Sequence, residues 1–475
     1  MEAMLEALPN WLLLYGPPVW AAHLLILSVW IVLQKRPPLS TLSWILSMAL
    51  LPVLGFIIYF FLGPQKIRRQ RLRRQRLRKQ HNAGARRDAD AHQALPRRKR
   101  GLGDLVERAI GTPVSSLTDL RLLVGGEPKI DALVAAIDSA RHHIHMEYYI
   151  LEPDGVGQRI REALVEAARR GVRVRLLIDG IGSARAGRRF LRPLRRLGVD
   201  VARFHPWRAV VLRPLLNLRT HRKIAVIDGC IGFVGGINLC NDVDPRHCET
   251  AWHDYHLRLE GQAVGWLQAL FAEDWLYATR HALPEEALYP DCQRGEIIAQ
   301  VLASGPDSDS EAIHRAYVQA IHDARERVWL VTPYFVPGEA ALMALSNAAL
   351  RGVDVRLLVP RRSDARLVDY AGRSYYDELL GRGVRIWQYE PRMLHAKALL
   401  VDSDLAMVGT ANFDPRSFRL NFEVALAVYD ADFTTRLGTQ ILADMEDARQ
   451  VKQPRKLGFL RRLGEAIARL FSPLL

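Results

Sequence analysis

Two apolar runs open the chain, and neither contains Lys, Arg, Asp or Glu. The first, Trp11 to Leu33, is broken by Gly16-Pro17-Pro18. The second, Leu42 to Leu62, runs for 21 residues with Pro52 and Gly55 inside it. At about 1.5 Å per residue, a helix of that length crosses a hydrocarbon layer of roughly 30 Å. Membrane helices tolerate internal Pro and Gly. The pattern predicts a transmembrane pair over residues 1–63. Glu2 and Glu6 stand where a cleaved leader would be positively charged, and a second apolar run follows at once, so a signal peptide is the poorer reading.

The pattern then changes three times. Residues 64–105 are polar and basic, a juxtamembrane linker. From about 106 to 450, stretches of helical periodicity alternate with short β-branched, apolar runs, the signature of α/β units. At the end, Leu460, Leu463, Ile467, Leu470, Phe471 and Leu474 recur at helical spacing with Arg461, Arg462, Glu465 and Arg469 between them. That predicts an amphipathic, basic tail over 451–475, suited either to a membrane surface or to packing on the body.

Within the α/β region one unit is written twice. Arg170-Gly-Val-Arg-Val-Arg-Leu-Leu-Ile-Asp179 matches Arg351-Gly-Val-Asp-Val-Arg-Leu-Leu-Val-Pro360, and each follows a predicted helix, 157–170 and 338–351. Further on, His221-Arg-Lys223-Ile-Ala-Val-Ile-Asp228 matches His395-Ala-Lys397-Ala-Leu-Leu-Val-Asp402. Both read HxKxxxxD. Gly235 and Asn238 follow the first, Gly409 and Asn412 the second, all at a constant offset of 174. Two motifs in register are a repeat, where one HxK would be noise. The repeat predicts two domains, 106–290 and 291–450.

Charge sharpens this picture. The net charge is +15, but residues 64–100 carry +13 and residues 451–475 carry +5, which leaves the body near neutrality. Basicity concentrated beside apolar runs points to anionic lipid headgroups more than to nucleic acid. The basic run also predicts that the residues after Leu62 stay cytoplasmic. Four cysteines in 475 residues form no disulfide framework and fit a reducing compartment. Cys240, His247, Cys248 and His253 match no zinc spacing. Asp179-Gly-Ile-Gly182 lacks the third glycine of a nucleotide loop.

The repeated residues have a common chemistry. Side chains alternate along a strand, so His221 and Lys223 share a face, as do His395 and Lys397. Asp228 and Asp402, the motif carboxylates, fall on the other parity or beyond the strand and are read as supporting the motif. A site built from both copies holds two imidazoles, two ammonium groups and the carboxamides of Asn238 and Asn412. Lys223, Lys397 and the two asparagines can hold the non-bridging oxygens of a phosphodiester. One neutral histidine can attack phosphorus while the other handles the leaving-group proton. No metal or cofactor is required. Asp254 and Glu423, 33 and 28 residues after their motif histidines, are candidates to fix the ring nitrogens.

The paired HxKxxxxD motifs with their downstream asparagines resemble the phospholipase D superfamily. Pro333-Tyr-Phe-Val-Pro337, Ser374-Tyr-Tyr-Asp-Glu-Leu-Leu380, Gly409-Thr-Ala-Asn-Phe-Asp-Pro-Arg-Ser-Phe418, Arg419-Leu-Asn-Phe-Glu423 and Tyr59-Phe-Phe-Leu-Gly63 resemble its bacterial cardiolipin synthase branch. The resemblance implies two phospholipase D-like α/β domains, mixed sheets flanked by helices, about a pseudo-twofold axis with one site between them. It implies His221 as nucleophile, through a phosphohistidine, and His395 as general acid and base. The reaction would transfer a phosphatidyl group between two phosphatidylglycerol molecules, giving cardiolipin and glycerol. The protein would sit in a bacterial inner membrane, multi-pass, with its body on the cytoplasmic side and anionic lipids as partners. The rivals are a phospholipase D hydrolase, a nuclease, which the neutral body disfavours, and a non-catalytic lipid scaffold, which two complete motifs disfavour.

Overall fold

The computed structural model describes residues 10–34, 38–51, 54–56, 59, 89–205, 218–283, 288–308 and 310–472. The amino-terminal part forms a unit of its own. Its helix Asn10–Val32 has 23 residues, with side chains described from Pro18 onward, and helix Pro38–Leu50 has 13. They pack through Ile31, Met48 and Tyr59, with the Trp30 and Trp44 rings edge-on to Tyr59. Leu25, Ile26, Val29, Leu42 and Leu46 are left exposed. Among the described residues no helix is long and apolar enough to cross a membrane. The second described helix stops at Leu50, just before Pro52, and so covers only part of the predicted Leu42–Leu62 run. A proline disfavours the α conformation at the residue before it and has no N–H to donate to the helix. Most of the predicted basic linker, residues 64–88, lies outside the described residues.

The body is a second unit. Its strands are β1 (Ser115–Leu117), β2 (Asp119–Val124), β3 (His143–Tyr148), β4 (Arg173–Asp179), β5 (Asp200–Phe204), β6 (Lys223–Ile227), β7 (Ile231–Gly235) and β8 (Tyr255–Glu260), then β9 (Ile297–Ser304), β10 (Arg327–Val331), β11 (Asp354–Pro360), β12 (Arg385–Tyr389), β13 (Ala398–Val401), β14 (Leu405–Gly409), β15 (Glu423–Tyr429) and β16 (Ala448–Gln450). One sheet runs β2-β8-β7-β6-β3-β4-β5. The other contains β9-β15-β14-β13-β10-β11-β12, the same order seven strands later, with β1 and β16 added at its edges. The sequence repeat is therefore a repeat of topology. Both sheets are mixed: β3-β4-β5 and β10-β11-β12 are parallel, and β6 and β13 join antiparallel. The repeated Arg-Gly-Val segments form the turns between helices Gly155–Arg169 and Glu339–Leu350 and the strands β4 and β11. Gly171 and Gly352 both adopt φ 88°, which explains the shared glycine.

The two copies share one core. Val226, Val234 and Leu257 of the first pack with Val331, Leu400, Val408 and Leu426 of the second, all essentially inaccessible to solvent. Helix Arg100–Ile110 and β1, which precede the first sheet in the chain, belong to the second half: Leu102, Val106 and Ile110 lie in its core and β1 pairs with β9. The end of the basic linker thus folds onto the body. Lys99 is buried between Asp402 and Asp404 at 3.5 and 3.2 Å. The cysteine reading needs correction: Cys230 and Cys292 form a disulfide that ties the turn after Asp228 to the segment between the copies, while Cys240 and Cys248 are free. Their separation of 62 residues gave no sequence signal.

Candidate active site

Each motif histidine sits one turn of backbone pairing away from the opposite copy. The His221 N–H donates to the Phe422 carbonyl at 2.9 Å, and the Phe422 N–H donates to Arg219. In the mirror arrangement the His395 N–H donates to His253 at 2.7 Å, and the His253 N–H donates to Met393. These two short parallel bridges set the residue after each pairing partner, Glu423 and Asp254, against the histidine of the other copy. His221 Nδ1 lies 3.0 Å from both oxygens of Glu423, and His395 Nδ1 lies 2.6 Å from Asp254 Oδ2. The sequence separations suggested that each carboxylate serves the histidine it follows. The structure pairs them crosswise, because the bridges join the start of β6 to the start of β15 and the approach to β13 to the start of β8.

The strand alternation has the expected outcome. Lys223 and Lys397 lie on the side of their histidines, and each ammonium donates to the carbonyl of the histidine two residues back, Lys223 at 2.7 Å. Arg222, between them in the first copy, points the other way. It pairs with Asp274 and donates to the carbonyls of Glu423 and Ser304. The motif aspartates are away from the histidines. Asp228 accepts from the N–H groups of Arg141, His142 and His143 at 2.8–2.9 Å, and Asp402 accepts from Arg325, Glu326 and Arg327. Both adopt positive φ, 50° and 54°, at the far end of the strand. They brace the turn that leads into β3 or β10. Asn238 and Asn412 are buried. Asn238 Oδ1 accepts from the Ile150 N–H at 3.3 Å, whereas Asn412 Oδ1 has no hydrogen-bond partner among the described residues.

Electrostatics unite these groups. Burial lowers the His221 pKa, and Glu423 only partly opposes it. Burial and then Lys397 push His395 down to about 4. Burial, helped at Lys223 by the charge of Lys397, takes Lys223 to about 7 and Lys397 to about 8, although carboxylates of both copies pull upward. Burial works to raise Asp254 and Glu423, but Lys397 and His395 outweigh it at Asp254, and His221 and Lys223 at Glu423, so both stay ionised. Two neutral imidazoles therefore donate Nδ1–H to two carboxylates and keep their Nε2 lone pairs free. With Nδ1–H given to Asp254, the 2.8 Å approach of Lys397 Nζ to His395 Nδ1 is a repulsive contact, and it adds to the burial that lowers the His395 value. Two ammonium groups and two carboxylates nearly cancel, and a phosphodiester would add one negative charge.

Several site residues gave no sequence signal of their own. Thr410 donates its hydroxyl to Glu423, and Asn421 Nδ2 donates to the same carboxylate at 3.1 Å. The first copy has Gly236 where the second has Thr410. A Cβ at Gly236 would come within 2.2 Å of Asp254 Oδ1, so the space of that side chain is filled by the carboxylate itself. Aromatic rings flank the histidines: Tyr149 lies 5.1 Å from His221, and Trp252 and Tyr334 lie 4.8 and 6.5 Å from His395. Asp414, at the amino end of helix Pro415–Arg419, is pushed up to about 6 by burial.

Residues 133–275 and 317–445 match the family described as "Cardiolipin synthase, PLD-like domain", one segment per copy. The chain belongs to the cardiolipin synthase family. Residues 24–64 match a "Phospholipase_D-nuclease N-terminal" family. The cardiolipin synthase of Geobacillus sp. (strain WCH70) is 39% identical over 460 residues, 94% of this chain and 91% of that one. Cardiolipin synthase 2 of Bacillus anthracis is 40% identical over 456 residues, 94% of this chain and 88% of that one. Among solved structures, phosphatidylserine synthase of Haemophilus influenzae Rd KW20 superposes on 79% of this chain and 100% of its own with a TM-score of 0.61. At 14% identity it speaks for the fold alone. This cardiolipin synthase family member keeps both histidines, both lysines and both crosswise carboxylates at one site.

Proposed function

We propose that this chain transfers a phosphatidyl group from one phosphatidylglycerol to another, giving cardiolipin and glycerol. The observation that carries the reading is the reciprocal pairing of His221 with Glu423 and of His395 with Asp254, the arrangement a twofold relation between the copies would produce. His221 is the nucleophile. Its Nε2 attacks phosphorus of the donor lipid and the phosphorus–glycerol oxygen bond breaks. His395, protonated once the diester is bound, gives its Nε2 proton to the departing glycerol. The bound diester favours that protonation because its negative charge opposes the burial and the Lys397 repulsion that keep the ring neutral in the empty site. In the second half, neutral His395 takes the proton from the hydroxyl of an acceptor phosphatidylglycerol, whose oxygen attacks the phosphohistidine and frees His221. Lys223, Lys397, Asn238 and Asn412 hold the non-bridging oxygens. The asparagines would do so through their Nδ2–H groups, the donors of the carboxamide.

The apolar amino-terminal helices and the basic run after them support a membrane-anchored enzyme with a cytoplasmic body. Purified full-length protein in mixed micelles with labelled phosphatidylglycerol tests the reading. Cardiolipin plus free glycerol, absent in His221→Ala, is expected. Phosphatidic acid as sole product would make the enzyme a hydrolase, and no lipid turnover would overturn the reading.

A further inference from the structure

Helix Phe459–Leu470 is packed inside out. The side against the body carries Glu465 and Ala468, 3% and 2% exposed. Polar contacts hold it there. Arg455 bridges Glu465 and Asp377 at 2.9 and 2.7 Å, the Tyr375 hydroxyl donates to Ser472, and the Arg469 guanidinium stacks 4.2 Å from the Tyr375 ring. At 100° per residue, Phe459, Leu460, Leu463, Ile467, Leu470 and Phe471 fall within an arc of about 120° on the opposite side. All six face solvent, Leu460 at 82% and Leu470 at 77% exposure. A helix that covered the core would turn this stripe inward. Here the ion pairs fix the polar side inward, so the stripe cannot reach the body without breaking them. Tyr370, exposed on helix Arg366–Arg373, lies against Gly464 and extends the apolar surface.

We propose that this face docks on an anionic bilayer, with the helix lying along the headgroup plane. The occupant follows from charge. The segment 451–475 carries +5, and the exposed Arg461 and Arg462 fall on either side of the stripe, where a helix in the interface places its cations. Apolar area next to arginines, with no acidic residue in the stripe, complements lipid tails below phosphate groups. The docked helix also holds the active site. It packs on helix Arg366–Arg373, which starts two residues after Asp364, the acceptor for the Tyr334 hydroxyl beside His395. The docking would therefore set the second half of the site at a fixed height over the membrane. This consequence rests on the lipid reading of the site, while the docking does not.

The test uses the full chain, with Cys248→Ser, reconstituted into phosphatidylglycerol-containing vesicles. Spin labels are placed by Leu463→Cys in the stripe and by Arg461→Cys outside it. The expected result is a 463 label reached by oxygen and shielded from a water-soluble nickel chelate, and a 461 label open to nickel. In purely zwitterionic vesicles the 463 label should become nickel-accessible. Equal nickel access at both sites in anionic vesicles would overturn the proposal. So would a 463 label shielded equally in purely zwitterionic vesicles, which would mean that something other than anionic lipid, such as a second copy, covers the face. As a functional readout, Leu460→Glu/Leu463→Glu/Ile467→Glu changes only exposed positions. It should lose cardiolipin formation several-fold in vesicles and keep it in mixed micelles; equal activity in both would sever docking from catalysis. If the unmodified protein turns over no lipid in either, the proposed function fails while the labels still decide the docking.

Discussion

Glu423 accepts from the ring of His221 across 202 residues of chain, at 3.0 Å to each oxygen. Each copy therefore orients the histidine of the other, and neither could make a working site alone. Glu423→Gln should slow formation of the phosphoenzyme about 10²- to 10⁴-fold, the range for a positioned acid–base partner. Asp254→Asn should slow both halves, because His395 gives the proton to the departing glycerol and then takes one from the acceptor hydroxyl. Single turnovers with labelled phosphatidylglycerol, quenched in denaturing detergent at alkaline pH because the phosphohistidine P–N bond is acid-labile, follow formation and decay of the phosphoenzyme separately. A Glu423→Gln protein that labels at the normal rate would show that the crosswise pair is not used.

Gly236 and Thr410 occupy equivalent positions but do opposite things. A methyl at 236 collides with the Asp254 carboxylate, whereas the Thr410 hydroxyl supports Glu423. Gly236→Ala should displace Asp254 by a fraction of an ångström or more and cost on the order of 10²-fold in rate. Melting temperature should fall only modestly, because one side chain moves and the core does not. Thr410→Val should cost less, since Asn421 and His221 still donate to Glu423. Rates and melting curves of the two variants check the order.

The sequence made the motif, its repetition and the shared face of His and Lys readable, because those follow from a constant offset and from strand periodicity. It also separated Asp228 and Asp402 from the histidines by parity. The crosswise pairing was not readable. Asp254 and Glu423 lie nearer in sequence to their own histidines, and only the long-range bridges Thr220–Phe422 and His253–Leu394 redirect them. Tyr149 and Trp252 gave no signal because a single aromatic looks like core, and Tyr334 stood out only within the Pro333–Pro337 resemblance, with no role attached. Helix Arg100–Ile110 joined the second core although it precedes the first sheet, since chain order says nothing about which edge is open. The offset of 174 did contain one further clue: Gly236 against Thr410 marks where the two halves differ in how they hold a carboxylate.

Activity and stability should respond to pH in opposite directions. Burial brings Lys223 to about 7 and Lys397 to about 8, and unfolding returns both to about 10.4. Between those values the unfolded chain binds more protons, so stability rises with pH from about 7 toward 10. The same loss of protons removes the charge that binds phosphate, so kcat/KM should fall on the alkaline side. Lys223→Met or Lys397→Met should abolish turnover yet raise the melting temperature near neutral pH, because a buried cation is lost. Denaturation curves and rates across pH 6–10 test both signs.

On the proposed topology, the fifteen basic residues between Pro64 and Arg100 would hold the body on the cytoplasmic side, where thiols are kept reduced. The Cys230–Cys292 bond is the feature that favours an oxidising compartment. Protease added outside intact spheroplasts should leave the body uncut and digest it only after lysis, and alkylation of rapidly quenched cells should find both cysteines free. Digestion from outside would reverse the topology and make the disulfide a resident bond.

On the proposed mechanism, Trp252 is the residue expected to decide between the two fates of the phosphohistidine. Its ring lies 4.8 Å from that of His395, which would act as the base in the second step. Water is far more abundant than a lipid hydroxyl, so transfer can win only where water is kept from His395 Nε2. Trp252 immediately precedes the paired segment His253-Asp254, so its backbone is fixed by the bridge to Leu394 and by its N–H bond to the Asp242 carbonyl. Trp252→Ala should therefore leave phosphoenzyme formation within a few-fold and shift the products from cardiolipin toward phosphatidic acid. Trp252→Phe, which keeps a ring but removes its indole N–H, should restore most of the cardiolipin. The ratio of the two lipids from labelled phosphatidylglycerol is the readout, because it is insensitive to how much enzyme is folded. An unchanged ratio in Trp252→Ala would assign water exclusion to the bound lipid itself.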